Sequence, residues 1–246
     1  MHPLPRRSSL FRLSGLFALA LGAAVSASAA TYHYVDWTAA NLGLGTASGT
    51  ITLPNASTVT VNFAATYANG SAGTLYGAQI NGGANYWNPS TPYTSAQVDN
   101  APPGTDILQL EGGLNQIYTV TLSEAIKDPI MAIVSLGRTS TPTTYDFNAP
   151  FTIVSQGSGY FGGSGTSLSQ QPGDVLLGNE GHGTIQFIGT FSTFSWTVPS
   201  PEAWHGFTFG IRTTEAIEPT PDAATTGLLL GLATILFAGF RRRRAR

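Results

Sequence analysis

Glu180, His182 and His205 are the side chains best suited to acid–base or metal chemistry. Glu180 and His182 lie two residues apart in Glu-Gly-His-Gly, and an extended segment would place both on one face. His205 could join them as a metal ligand or an acid–base partner. The chain lacks the Gly-x-Ser-x-Gly and His-Glu-x-x-His signatures. The sequence therefore nominates no catalytic residue, and a secreted hydrolase is the least favoured of three functional hypotheses.

A long polar segment, residues 81–106, contains three aromatic side chains with a different potential. Tyr86, Trp87 and Tyr93 could stack on sugar rings, because aromatic faces make apolar contacts with carbohydrates. Packing over the end of the fold is the alternative role. The segment is long for a compact domain, and such loops are often functional. These residues support the second functional hypothesis, a carbohydrate-binding module.

The same segment offers oxygen ligands for a cation. Asp99, Asn100 and Asp106 carry the hard oxygen donors that Ca²⁺ prefers. Solvated surface side chains are the alternative, and no EF-hand pattern is present. We predict no other cofactor.

Short strands must position these residues. Runs of β-branched and aromatic residues bounded by Gly, Pro, Asn and Ser recur along the chain. They predict strands at 46–53, 58–67, 75–80, 107–110, 117–122, 130–136, 151–155, 184–187, 194–198 and 207–212. The 130–136 run is apolar on both faces, which predicts a central strand. A glycine-rich segment, 156–165, is interpreted as a structural turn. We expect one all-β domain over residues 31–215, a jelly-roll-like β-sandwich.

The first 30 residues predict export. Three arginines precede an apolar run, 13–25, and small residues follow it, among them Ala27, Ala29 and Ala30. This is the pattern of a cleavable signal peptide, and an N-terminal anchor is the alternative. Cleavage is expected after Ala29 or Ala30, by signal peptidase at the Sec translocon.

The last segment, residues 216–246, predicts a membrane-sorting tail. Pro219, Pro221 and Asp222 precede an 18-residue apolar run, 223–240, which as a helix would reach about 27 Å, close to the thickness of a bilayer core. The cluster that follows begins with Arg241, Arg242, Arg243 and Arg244. These arginines are expected to stay on the cytoplasmic side. A plain single-pass anchor is the alternative.

This layout resembles the PEP-CTERM class of sorting tails over about the last 30 residues. The usual Pro-Glu-Pro is missing, and Pro221-Asp222 is closer to the Val-Pro-Asp-Ser-Gly variant, with Thr220 and Ala223-Ala224 in the flanking positions. The resemblance implies processing by an exosortase in bacteria that make extracellular polysaccharide. Residues 46–212 also look similar to uncharacterised β-sandwich bodies that precede such tails.

Charge excludes one class of partner. The segment 31–218 has twelve acidic residues and three basic ones, so its net charge is about −9. A surface this acidic argues against nucleic-acid binding. The absence of cysteine excludes thiol catalysis and disulfides. The first and favoured functional hypothesis is therefore a non-enzymatic exported protein. We expect it to be anchored transiently in the inner membrane and then held at the cell surface or in an extracellular matrix. In the second hypothesis, the carbohydrate-binding module, the ligand is polysaccharide.

Overall fold

The computed structural model of the protein describes residues 29–212. Of the residues predicted to direct export and sorting, Ala27, Pro219, Pro221, Asp222 and the four arginines from Arg241 to Arg244 lie outside that part. Within it, no helix is long and apolar enough to cross a membrane. The strands are β1 (His33–Tyr34), β2 (Asp36–Asn41), β3 (Thr46–Thr52), β4 (Thr58–Tyr67), β5 (Gly77–Gln79), β6 (Ile107–Gly112), β7 (Gln116–Lys127), β8 (Ile130–Leu136), β9 (Thr143–Phe147), β10 (Phe151–Gln156), β11 (Leu168–Gln171), β12 (Val175–Gly178), β13 (Gly181–Phe187), β14 (Thr190–Thr197) and β15 (Glu202–Ile211). Short 3₁₀ helices occupy Leu42–Leu44 and Thr91–Tyr93.

These strands form two antiparallel sheets. Sheet I has the order β10-β13-β8-β15-β6-β5, and β1 also pairs with β15. Sheet II has the order β11-β12-β9-β14-β7-β4-β3-β2. The prediction of an all-β fold with two sheets, a β-sandwich, is confirmed.

The inner faces of the two sheets bury one continuous hydrophobic core. In β4, Val59, Val61 and Phe63 are buried and the residues between them are exposed or half-buried, as their alternation with polar residues predicts. Contacts between the sheets join aromatic rings: Phe63 lies 5.7 Å from Phe207 between centroids. Packing of such side chains is the main stabilising contribution, since each fully buried one contributes about 1.5–3 kcal/mol.

The outer face of sheet I is also covered. The long segment 81–106 folds over it and packs Trp87, Tyr93 and Val98 into a second hydrophobic cluster that includes Ile130 of β8. As a result every residue of β8 is buried. The predicted central position of this strand is confirmed, because β8 lies between β13 and β15.

Two β-bulges interrupt the regular register of sheet I. In β8 the register against β13 shifts between Gly181 and Gly183, so an additional residue is accommodated near Ser135. In β15 the register against β6 shifts between Glu202 and His205. A bulge bends its strand and redirects the side chains on it. Both bulges lie near the same end of the sheet.

Candidate functional site

An exposed aromatic cluster forms where the long segment meets the glycine-rich turn. The Tyr86 ring lies 5.0 Å from Tyr160, 5.8 Å from Phe161 and 5.1 Å from Trp204 between centroids. Tyr160 and Phe161 are each 48% exposed. The three contributing segments are far apart in sequence, so the cluster exists only in the folded chain.

The cluster borders an open cleft of about 560 Å³. The cleft is lined by Tyr76, Tyr86, Gln109, Ser135, Arg138, Phe161, Glu180 and Trp204. Trp204 is in the bulge of β15, and its indole Nε1 donates a 3.1 Å hydrogen bond to Oε1 of Gln109. The absent side chain of Gly77 makes room for Gln109, since a Cβ there would lie 2.5 Å from the same oxygen. The aromatic wall is therefore held in place by neighbouring backbone and side chains.

The polar wall of the cleft contains two strained residues in contact. Ser135 and Glu180 both have a left-handed backbone, with φ of 57° and 59°, which is unfavourable for residues other than glycine. The Ser135 hydroxyl donates a hydrogen bond to the Glu180 carboxylate. Strain of this kind persists only where the surrounding structure enforces it, and it is concentrated at functional sites.

His182 lies behind this wall. Its Nδ1 is 3.3 Å from the Tyr93 hydroxyl, and its Nε2 is 3.7 Å from the Glu180 carboxylate, which is too long for a hydrogen bond. Burial lowers the pKa of His182 to about 4, so the imidazole is neutral at neutral pH. The two side chains lie near each other, but not because of the extended segment that was predicted, since Glu180 precedes β13 and has a left-handed backbone.

His205 does not join that pair. It points into the core between the sheets, where its ring lies 5.3 Å from that of Tyr145, while His182 lies on the outer side of sheet I, with Tyr93. The expectation that His205 completes a cluster with Glu180 and His182 is wrong. Among residues 29–212, no three His, Cys, Asp or Glu side chains could hold a metal ion.

Two of the three aromatic residues predicted to stack on sugars are buried. Trp87 is 2% exposed and Tyr93 is fully buried, because both pack against the outer face of sheet I. The ring contact between them, with centroids 5.2 Å apart, is part of the second hydrophobic cluster. Neither can stack on a ligand in this conformation, so the alternative role, packing over the fold, describes both. Tyr86 alone reaches the cleft.

The three predicted calcium ligands have separate protein partners. Asp99 accepts a hydrogen bond from the Thr31 hydroxyl. The side-chain amide of Asn100 accepts a hydrogen bond from the Tyr32 N–H and donates one to the Tyr32 carbonyl. Asp106 accepts a hydrogen bond from the Trp37 N–H, and burial raises its pKa. These contacts fasten the long segment to the first strands. Nothing in this geometry adds support to the calcium prediction.

Most of the cleft residues were missed by sequence reasoning. Tyr160 and Phe161 lie in the segment that the sequence analysis interprets as a turn, and Trp204, which precedes His205, is not singled out there. The available signal was the pair of adjacent aromatic residues, Tyr160 and Phe161, between glycines and serines. A turn of this composition has little apolar surface to bury two rings, which indicates that they are exposed.

A second cavity adjoins the cleft. It has a volume of about 300 Å³ and is lined by Gly112, Arg138, Thr141, Pro201, Glu202 and Ala203. Arg138 lines both cavities, and the side chain is exposed.

Comparison of the chain with protein-family models, curated proteins and solved structures found no match.

Proposed function

We propose that this is an exported protein of the cell surface or extracellular matrix whose β-sandwich binds carbohydrate at the aromatic cleft. The body acts by binding, and an exosortase-like enzyme processes the tail near Pro221 and Asp222. The single observation that carries the binding role is the group of exposed rings around Tyr86 beside a cleft with polar walls. The tail sequence carries the proposed sorting.

The chemistry of the cleft suits a sugar. Aromatic faces contact the C–H side of a pyranose ring, and Tyr76, Phe161 and Trp204 present such surfaces. Hydroxyl groups need directional partners, which Gln109 and Arg138 supply from the polar wall. Binding sites for small molecules combine mostly apolar walls with a few polar groups in this way.

We further propose that the sandwich is a jelly roll. The strand orders β6-β15-β8-β13 in sheet I and β7-β14-β9-β12 in sheet II support it, because successive strands alternate between the two sheets, as in two interleaved Greek keys. Carbohydrate-binding domains of the lectin type also occur among jelly rolls.

The binding role is tested by affinity electrophoresis of the purified protein in gels containing different polysaccharides. We expect retardation by at least one neutral polysaccharide, and a loss of at least about fivefold in affinity, about 1 kcal/mol, for Tyr86→Ala, Phe161→Ala or Trp204→Ala. Tyr67→Ala is the matched control, since Tyr67 is an exposed tyrosine of β4 outside the cleft. Equal retardation of all four variants would remove the cleft from the proposal.

The sorting role is tested by the intact mass of the protein recovered from its producing cells. A mature chain that ends between residues 220 and 224 is the expected result. Retention of the arginines from Arg241 onward would instead mean that the tail is a permanent anchor.

A further inference from the structure

The two cavities at the end of sheet I lie next to each other. Arg138 lines both of them. Two consecutive residues in the bulge of β15 line different cavities: Trp204 lines the cleft and Ala203 the second cavity. In β6, Gln109 lines the cleft and Gly112 the second cavity. A ligand longer than the aromatic cleft would therefore pass Arg138 and enter the second cavity.

The charges around these cavities are unequal. Glu180 lines the cleft, and residues 29–212 have ten acidic but only three basic side chains. A negative potential of this kind repels an anionic polymer. Within residues 29–212, Arg138 forms no ion pair with a carboxylate, so its guanidinium donors are available to hydroxyl oxygens.

We propose that the cleft and the second cavity are adjoining subsites of one groove that binds an uncharged, hydroxyl-rich polysaccharide over several consecutive sugar units. The inference rests on the proposed carbohydrate binding and deepens it. The aromatic cleft stacks one part of the chain, Arg138 donates hydrogen bonds at the junction, and the second cavity holds the next part. The bulge in β15 is the structural cause, because it presents Ala203 and Trp204 to neighbouring cavities.

The experiment compares affinities along ladders of oligosaccharides, measured by isothermal titration calorimetry. The neutral probes are cello-, xylo- and manno-oligosaccharides of two to six units, and the anionic probes are oligogalacturonates of the same lengths. For the neutral ladder that binds, we expect affinity to rise roughly tenfold from the shortest to the longest member. Oligogalacturonates are expected to bind more weakly than the neutral ladder at low salt and to gain relative to it as salt is added.

A variant that fills the second cavity tests the two subsites separately. In Thr141→Trp the new ring occupies the second cavity, so the gain with length should disappear while the shortest ligand keeps its affinity within about twofold. Thr141→Ser is the matched control and should keep the gain, and the thermal unfolding midpoint of both variants checks the fold. Should Thr141→Trp keep the gain, or oligogalacturonates bind best, the groove proposal is overturned while carbohydrate binding stands. Absence of binding by every ladder and by the polysaccharides of the electrophoresis test would remove both.

Discussion

Nδ1 of His205 lies 2.9 Å from Oε2 of Glu202, although the two residues are three positions apart on one strand. Residues i and i+3 of a regular strand point to opposite faces. The bulge between them adds one residue and turns both side chains to the same side. Both side chains are almost completely buried, so the pair is enclosed within the fold.

Breaking this pair is predicted to destabilise the fold. Removal of one member of this buried pair leaves the polar atoms of the other without a partner, so Glu202→Ala or His205→Ala should each lower the free energy of unfolding by about 1–3 kcal/mol. The double variant Glu202→Ala/His205→Ala should lose less than the sum of the two single losses, as urea unfolding would show. Strict additivity would contradict the coupling.

The buried His182 predicts a dependence of stability on pH. Its pKa is about 4 in the folded protein and about 6.5 in an unfolded chain, so the unfolded state binds the proton more readily. The contribution of His182 to the free energy of unfolding is therefore fully present above about pH 6.5 and falls by about 3 kcal/mol as the pH decreases to 4. His182→Gln should flatten this part of the profile in chemical unfolding at several pH values.

The glycine-rich turn predicts a second pair of outcomes. A Cβ on Gly159 would lie 2.3 Å from the His182 ring, whereas Gly165 has open space around it. Gly159→Ala should therefore displace the turn, move Tyr160 and Phe161 away from Tyr86, and weaken carbohydrate binding. Gly165→Ala should leave binding and the thermal unfolding midpoint unchanged. Equal behaviour of the two variants in calorimetry would show that the turn does not position the rings.

Adjacent aromatic residues of the long segment are predicted to have separate roles. Trp87→Ala opens a cavity in the second hydrophobic cluster and should lower the free energy of unfolding by about 3–5 kcal/mol. Tyr86→Ala, at a half-buried position, should leave stability nearly unchanged and reduce binding. Denaturant unfolding together with affinity electrophoresis distinguishes the two. A destabilisation by Tyr86→Ala as large as that by Trp87→Ala would contradict this division.

The sequence predicted the strands whose side chains alternate or are apolar throughout. β4 and β8 have the predicted bounds, because valine, isoleucine and phenylalanine mark their buried positions without ambiguity. β9 was missed, since its Thr-Thr-Tyr-Asp-Phe sequence has little apolar character until Tyr145 and Phe147 are seen to be buried. β11 and β12 were missed because their sequences, Leu-Ser-Gln-Gln and Val-Leu-Leu-Gly, contain one β-branched residue and no aromatic residue between them.

The candidate site was less predictable than the fold. Tyr86 was identified because aromatic residues in a long polar segment are conspicuous. Its partners Phe161 and Trp204 come from distant segments, and their approach depends on pairings that no local pattern encodes. The two bulges were also unpredictable from local sequence. A one-residue shift of register decides where Ser135 and Glu202 point, and the types of these residues do not indicate that shift.

The position of β15 has a consequence for how the protein is made. It is the last of the described strands, yet it lies inside sheet I, where it pairs with β6, β8 and β1. A chain that emerges from a ribosome or a translocation channel with its N terminus first must hold β6 and β8 apart until Ile211 has appeared. Sheet I therefore closes only after β15 has been synthesised, near the end of the described residues.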